Sequence, residues 1–152
     1  MTQGDTVTVT LTNIEVITED GLILRGFHIR PSNNTGPRKR FIQYMHGTRV
    51  YLPNKVRFFV ELSSEMAADI IAFAYRGFSL SDGDVPNETG IRLDTEAISH
   101  YFEQVLQREG GAEQVEALLW GKSFGTCTTT VAALSRPHLY EKVILESPLT
   151  TV

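Results

Sequence analysis

The sequence predicts an α/β protein built on a mainly parallel sheet flanked by helices, with an antiparallel hairpin at its start. One continuous apolar run of strand length, residues 70–75 (IIAFAY), reads as a strand buried on both faces, the habit of parallel sheets, and residues 115–120 (VEALLW) read as another buried strand. Stretches of helical periodicity alternate with such runs through short connections, the pattern of right-handed crossover units. The opening segment instead carries two Val-, Ile- and Thr-rich stretches parted by the turn residues Glu19, Asp20 and Gly21, the mark of a hairpin.

The elements follow in order. Residues 7–18 (VTVTLTNIEVIT) and 22–30 (LILRGFHIR) form the hairpin. Residues 31–40 (PSNNTGPRKR) are a loop by composition, and the basic cluster Arg38, Lys39 and Arg40 within it reads as solvated. A strand over 41–46 (FIQYMH) comes next. Pro53 stands where a helix can begin, and Val56, Phe59, Val60, Ser63, Met66 and Ala67 fall on one helical face. Beyond the strand at 70–75 lies a Gly- and Asp-rich loop over 76–90. Ile91, Ile98, Tyr101, Phe102 and Val105 give the apolar stripe of a helix over 91–107. After the strand at 115–120, Gly121 to Gly125 turn the chain into a helix over 124–135, which Pro137 ends. Residues 142–146 (KVILE) form the last strand.

Composition bounds the class. The chain has 152 residues, 41% of them hydrophobic and 21% charged, enough apolar material for one folded domain. Its net charge of −4, with Lys and Arg scattered, argues against a nucleic-acid surface. The lone cysteine, Cys127, cannot form an internal disulfide, so a reducing, cytoplasmic setting is expected. We read Cys127 as a small core hydrophobe. Met1 to Asp5 are polar and show no secretory leader. No apolar run reaches the roughly 18 residues of a spanning helix, so the expectation is a soluble chain, at most peripheral to a membrane.

The chemistry centres on Gly121-Lys122-Ser123-Phe124-Gly125, a G-x-S-x-G motif. It lies directly after a buried strand and directly before a helix, the context a nucleophilic serine elbow requires. The turn is so tight that a Cβ at either flanking glycine would strike backbone, while Ser123 is forced toward positive φ. The serine oxygen then projects at a helix N-terminus, where the Phe124 N–H is free to stabilise an oxyanion. His46-Gly47-Thr48 follows the strand at 41–46, and Gly47 lets that loop fold over the serine. Thr48 is the candidate for the second N–H donor, with Arg49 as the alternative. The His46 imidazole reads as a packed strand-end group.

Several segments resemble the α/β-hydrolase superfamily, in its Bem46-like branch of ABHD-type serine hydrolases. Tyr75-Arg76-Gly77-Phe78-Ser79-Leu80-Ser81-Asp82-Gly83 is similar to the R-G-x-G-x-S loop after the fourth strand of that fold. Leu93-Asp94-Thr95-Glu96-Ala97 is similar to the start of the next helix, and Leu119 to Gly125 to the W-G-R/K-S-x-G elbow. Leu145 to Thr150 is similar to the exit from the sixth strand, and Thr48 stands where the branch usually has Asn. The resemblance spans about residues 10–152. It implies an α/β-hydrolase fold and a serine hydrolase acting on carboxylic esters or thioesters, as acyl-protein thioesterases and lipases do. Ser123 would be the nucleophile, Thr48 and Phe124 the oxyanion donors, and Gly47, Gly121 and Gly125 the elbow and loop glycines.

The acid and histidine of such a triad normally follow the seventh and eighth strands. The expectation is therefore an N-terminal part of one hydrolase domain, strands one to six, lacking that segment. His138 is the only histidine after Ser123. The preceding helix, about 12 residues and roughly 18 Å long, carries it to the far end of the sheet. His28 lies in the hairpin and His100 in mid-helix. Asp82, Asp84 and Glu146 read as loop-organising residues. By itself this chain is expected to be inactive. The alternative is a catalytically inactive binding or regulatory module. No cofactor is expected, since no G-x-G-x-x-G follows a strand, and no metal, since the histidines and cysteine lack ligand spacing. The partner expected is a small-molecule or acyl substrate. The open sheet edge at 142–146 is also expected to invite self-association.

Overall fold

The computed structural model describes Gly4 and residues 6–149. The polar start, Met1 to Asp5 apart from Gly4, and Thr150 of the exit motif lie outside the described residues. Six strands form one sheet: β1 (Val9–Ile17), β2 (Ile23–Pro31), β3 (Lys39–Met45), β4 (Ala68–Phe73), β5 (Val115–Lys122) and β6 (Lys142–Glu146). The helices are α1 (Val56–Met66), α2 (Glu88–Arg108) and α3 (Gly125–Ser135). The strand order is β1-β2-β4-β3-β5-β6. The hairpin β1–β2 is antiparallel and β2 joins β4 antiparallel, while β4, β3, β5 and β6 run parallel. This is the mainly parallel sheet with an N-terminal hairpin that the residue pattern predicts.

Alternation along the central strands builds a core on each face. In β4 and just beyond it, Ile71, Phe73 and Tyr75 meet Ile98 and Phe102 of α2, while Ile70, Ala72 and Ala74 meet Phe59 of α1. That is why the run at 70–75 has no polar face: each residue enters one core or the other. At an approximate 25 cal/mol per Å² of apolar burial, side chains such as Phe59, Phe73 and Phe102, almost wholly excluded from solvent, contribute about 2–3 kcal/mol each.

Three details depart from the sequence reading. Lys39 and Arg40 belong to β3 and not to a solvated loop. Arg40 pairs with Glu116 at 3.0 Å, Lys39 with Glu109 at 3.5 Å, and Arg38 with Glu141. The acids come from segments some 70 to 100 residues away, so a local reading of charge could not see them. Helix α2 starts at Glu88, three residues before 91, because the Asn87 side chain caps it by accepting from the Gly90 N–H at 2.7 Å. Ala67 is not on the helical face of α1. It is the left-handed C-cap, with φ 49°, from which the chain turns straight into β4.

Candidate active site

The parallel strands β3, β4 and β5 end together, and the loops that follow them meet at one edge. Ser123 sits between the end of β5 and the first residue of α3. Its φ is +54°, a left-handed conformation that typically costs a non-glycine residue about 1–3 kcal/mol. The surroundings hold it there. The Ser123 N–H donates to the Glu146 carbonyl at 2.9 Å, and the Ser123 carbonyl accepts from the Thr126 N–H at 2.9 Å and the Thr126 hydroxyl at 2.6 Å. The final strand therefore pins one side of the elbow and the first turn of α3 the other.

Gly47 approaches the serine closely. A Cβ on Gly47 would stand 3.4 Å from Ser123 Cβ and 3.2 Å from the Lys122 carbonyl oxygen. Thr48 and Phe124 border the same groove, about 760 Å³ in volume, which runs between the start of α2 and α3. Among the described residues, neither the Thr48 nor the Phe124 N–H enters a hydrogen bond. Phe124 is the N-cap of α3 and has no side-chain cap, so the positive end of that helix faces the same space. Apolar side chains, including Phe78, Ile91, Phe124 and Val131, line the groove, which suits an uncharged, largely apolar ligand.

The four histidines do not serve Ser123. His46 is buried, with both ring nitrogens occupied: Nδ1–H donates to the Gly47 carbonyl at 2.6 Å and Nε2 accepts from the Tyr75 N–H at 3.2 Å. His28 of β2 pairs with Asp69 at 2.7 Å, near the start of β4 and so at the end of that strand away from Ser123. His100 is exposed in mid-α2. His138 lies beside Val115, at the start of β5, the end opposite Ser123. His46 instead positions the loop that carries Gly47 and Thr48. The Tyr75 hydroxyl supports it, lying 3.0 Å from the His46 carbonyl and 2.8 Å from Thr128 Oγ1. Composition hides this network, because Tyr75 and Thr128 are ordinary apolar-strand and helix residues until the fold joins them.

Burial lowers the His46 pKa from 6.5 to about 4. The neutral ring is thus favoured in the folded state and the protonated ring in the unfolded state. Stability is fully present above pH 6.5 and drains away as the pH falls toward 4; the shift amounts to about 3 kcal/mol by pH 4. Urea unfolding at successive pH values should show this loss in the wild type and a flatter profile in His46→Asn. Equal pH slopes in the two proteins would refute the assignment.

The acids have structural duties. Asp82 accepts from the Arg25 guanidinium at 2.8 Å and from the Ile23 N–H at 3.3 Å, tying the loop after β4 to β2; the Arg25 hydrogen bond holds its pKa below the usual carboxylate range. Asp84 is exposed. Glu146 accepts from Trp120 Nε1 at 3.1 Å and faces Lys122 at 3.6 Å. A trio of two buried residues, Arg76 and Asp94, and the exposed Asp20 escaped the sequence reading. Arg76 donates through Nε to Asp94 at 2.9 Å and through both Nη atoms to Asp20. The Arg76 contact draws the Asp20 pKa down to about 2, whereas burial pushes that of Asp94 up. These three residues fasten the β1–β2 turn, the loop after β4 and α2 to one another. Their signal lay in the Arg76 and Asp94 motifs, but no rule of spacing linked them.

Cys127 corrects another expectation. It is exposed, on the groove wall one turn into α3, not in the core. On this helix Thr126, Thr128, Thr129 and Ala132 take the inward positions. One thiol should react with Ellman's reagent in the native chain about as fast as after denaturation. Protection by folding would contradict the placement.

Among the described residues, no helix is long and apolar enough to cross a membrane, and no group of His, Cys, Asp and Glu is arranged to hold a metal ion.

No protein-family model matches the chain. In sequence it is 27% identical over 124 residues to a putative alpha/beta hydrolase of Acanthamoeba polyphaga mimivirus, covering 82% of this chain and 45% of the relative. It is 33% identical over 114 residues to the mouse alpha/beta hydrolase domain-containing protein 17C, covering 74% of this chain and 33% of that protein. In structure it matches a bacterial heroin esterase with a TM-score of 0.72 at 19% identity, over 93% of this chain and 45% of the other. It also matches an esterase of Pyrococcus furiosus with a TM-score of 0.65 at 20% identity, over 91% and 49%. The chain thus spans between a third and a half of the length of these relatives. The structural matches establish the α/β-hydrolase fold, and in sequence the chain is similar to part of α/β-hydrolase proteins of the ABHD type.

Proposed function

We propose that this chain is the nucleophile-bearing part of a serine hydrolase for carboxylic esters or thioesters, with Ser123 as the attacking group. The observation that carries the reading is the strained serine at φ +54° on a strand–helix elbow, packed against Gly47. The Ser123 oxygen would attack the acyl carbon held at the mouth of the groove. The tetrahedral oxyanion would accept from the Thr48 and Phe124 N–H groups, and the apolar groove would take the acyl portion. Gly121, Gly47 and Gly125 keep backbone close enough to the serine for this. That two of the matched proteins of solved structure are esterases supports the ester side of the proposal.

A serine hydroxyl needs a base to become nucleophilic at neutral pH. With His46 occupied on both nitrogens and His28, His100 and His138 placed elsewhere, the base and its acid partner come from outside residues 1–152. The alternative is an inactive chain that binds acyl ligands in the groove. Adding a polypeptide with the later half of an α/β-hydrolase relative decides between them. The hydrolase reading expects the mixture to take a fluorophosphonate label and to lose it in Ser123→Ala. Absence of label in a mixture shown to associate would leave only the binding role.

A further inference from the structure

Charge is laid out unevenly along the chain. Residues 46–60 hold three of its 14 basic residues, Arg49, Lys55 and Arg57, and none of its 18 acids. We infer that the surface these three cations share docks on an anionic lipid bilayer, beside the groove mouth at the Ser123 end of the sheet.

The fold gathers this surface from the loop after β3 and the first turns that follow it. Arg49, Tyr51, Lys55, Arg57 and Phe58 border one shallow hollow of about 550 Å³. Arg49 is exposed at φ +58°, a left-handed conformation that glycine takes without strain. The loop nonetheless presents a cation there. Lys55 lies over the Phe58 ring, 5.5 Å from its centroid. The first acid beyond them in sequence, Glu61, pairs with Arg57 at 2.9 Å. So exposed an ion pair is weak, and it leaves Arg57 able to turn to another anion.

Apolar groups stand among the cations. Tyr51 is 50% exposed and Phe58 36%. Leu80, 51% exposed, reaches the same rim from the loop after β4, where the neighbouring Ser79 hydroxyl accepts from the Leu52 N–H at 2.8 Å. Basic heads that meet phosphate, with aromatic and aliphatic side chains between them, suit the headgroup boundary of a bilayer. An acidic peptide would satisfy the cations and leave Tyr51, Phe58 and Leu80 unused.

The position of the surface also fits. Helix α1 packs on β2 and β4, and β3 and β5 separate those strands from β6. Strands added beyond β6 therefore lie away from it. Arg49 directly follows Thr48, which borders the apolar groove. A bilayer held here faces the groove, and on the reading of Ser123 as nucleophile it supplies the acyl ligand. The docking itself needs no chemistry at Ser123.

Co-sedimentation with phosphatidylcholine vesicles, with and without phosphatidylserine, tests the inference at low ionic strength. Binding should rise with the phosphatidylserine share and fall as salt is added. Arg49→Gln, Lys55→Gln and Arg57→Gln together should weaken it at least about tenfold. Tyr51→Ser should weaken it about threefold with no change of charge. Lys39 and Lys142 start β3 and β6 and Arg108 ends α2, all at the opposite end of the sheet. Changing those three to Gln makes the same change of net charge and should leave binding as in the wild type. Circular dichroism and thermal melting check that each variant is folded. A wild-type chain that stays in the supernatant at every lipid composition overturns the inference, as does binding that survives loss of the three patch cations. Equal weakening by the two triple variants also overturns it, because net charge and not this surface would then be responsible. Binding to polyglutamate and to no vesicle would assign the surface to an acidic protein instead.

Discussion

The 152-residue chain alone will turn over a short-chain nitrophenyl ester about a millionfold more slowly than a serine hydrolase with its histidine in place. Losing the serine–histidine partnership has that effect in a well-studied protease, where the residual rate comes from the oxyanion hole and binding. Here the elbow, the Gly47 approach and the two unbonded N–H groups are present, so the proposed function expects residual polarisation of a bound carbonyl. No ring nitrogen in the chain is free to take the Ser123 proton at the elbow, because His46 spends both of its own on the loop. The measurement is ester hydrolysis together with fluorophosphonate labelling. Strong labelling of the chain alone, abolished by Ser123→Ala, would mean that a base arises within it, and the assignment of His46 to a purely positioning role would fall first.

The second large effect is on stability. Gly125→Ala should lower it by at least about 3 kcal/mol, the upper part of the usual overpacking range, which for a domain of this size lowers Tm by about 10 °C. A Cβ on Gly125 would stand 2.0 Å from the Met45 carbonyl oxygen and 2.8 Å from that of His46. Both obstacles are backbone at the end of β3, so neither can swing aside as a side chain could. Relief requires moving the start of α3 away from the sheet, which drags the elbow and Phe124 with it. Gly36→Ala is the matched control, since its Cβ would meet nothing nearer than the Arg38 carbonyl oxygen at 3.6 Å. Differential scanning calorimetry of the two variants decides the point. A Gly125→Ala protein that melts with the wild type would show that the close packing of elbow on strand is not rigid.

Much of this was legible in the residues because it rests on short-range physics. The run at 70–75 announced a two-faced strand, and the G-x-S-x-G motif announced its own turn, since only glycine at both flanks admits so tight a bend. The structure puts the φ of Ser123 in the left-handed region for that steric reason. Residues 142–146 form the last strand as the pattern drew it. The readings that failed depended on distant partners. Lys39 and Arg40 looked like loop because the strands they pair with, and their partners Glu109 and Glu116, are not their neighbours along the chain, although Arg38 and Lys39 do stay exposed. Cys127 looked like core because nothing local says which side of α3 meets the sheet.

Sequence alone therefore determined the order of strands and helices, the place of the elbow and the identity of the serine on it. Each follows from sterics or periodicity within about a dozen residues. Tertiary structure alone decided the strand order β1-β2-β4-β3-β5-β6, the joining of His46 to Tyr75 and Thr128, and the Arg76 clamp between Asp20 and Asp94. Those contacts join residues up to 56 positions apart. The free energy that selects them comes from burying polar groups only where a partner is already waiting, a condition that no segment of the chain can satisfy by itself.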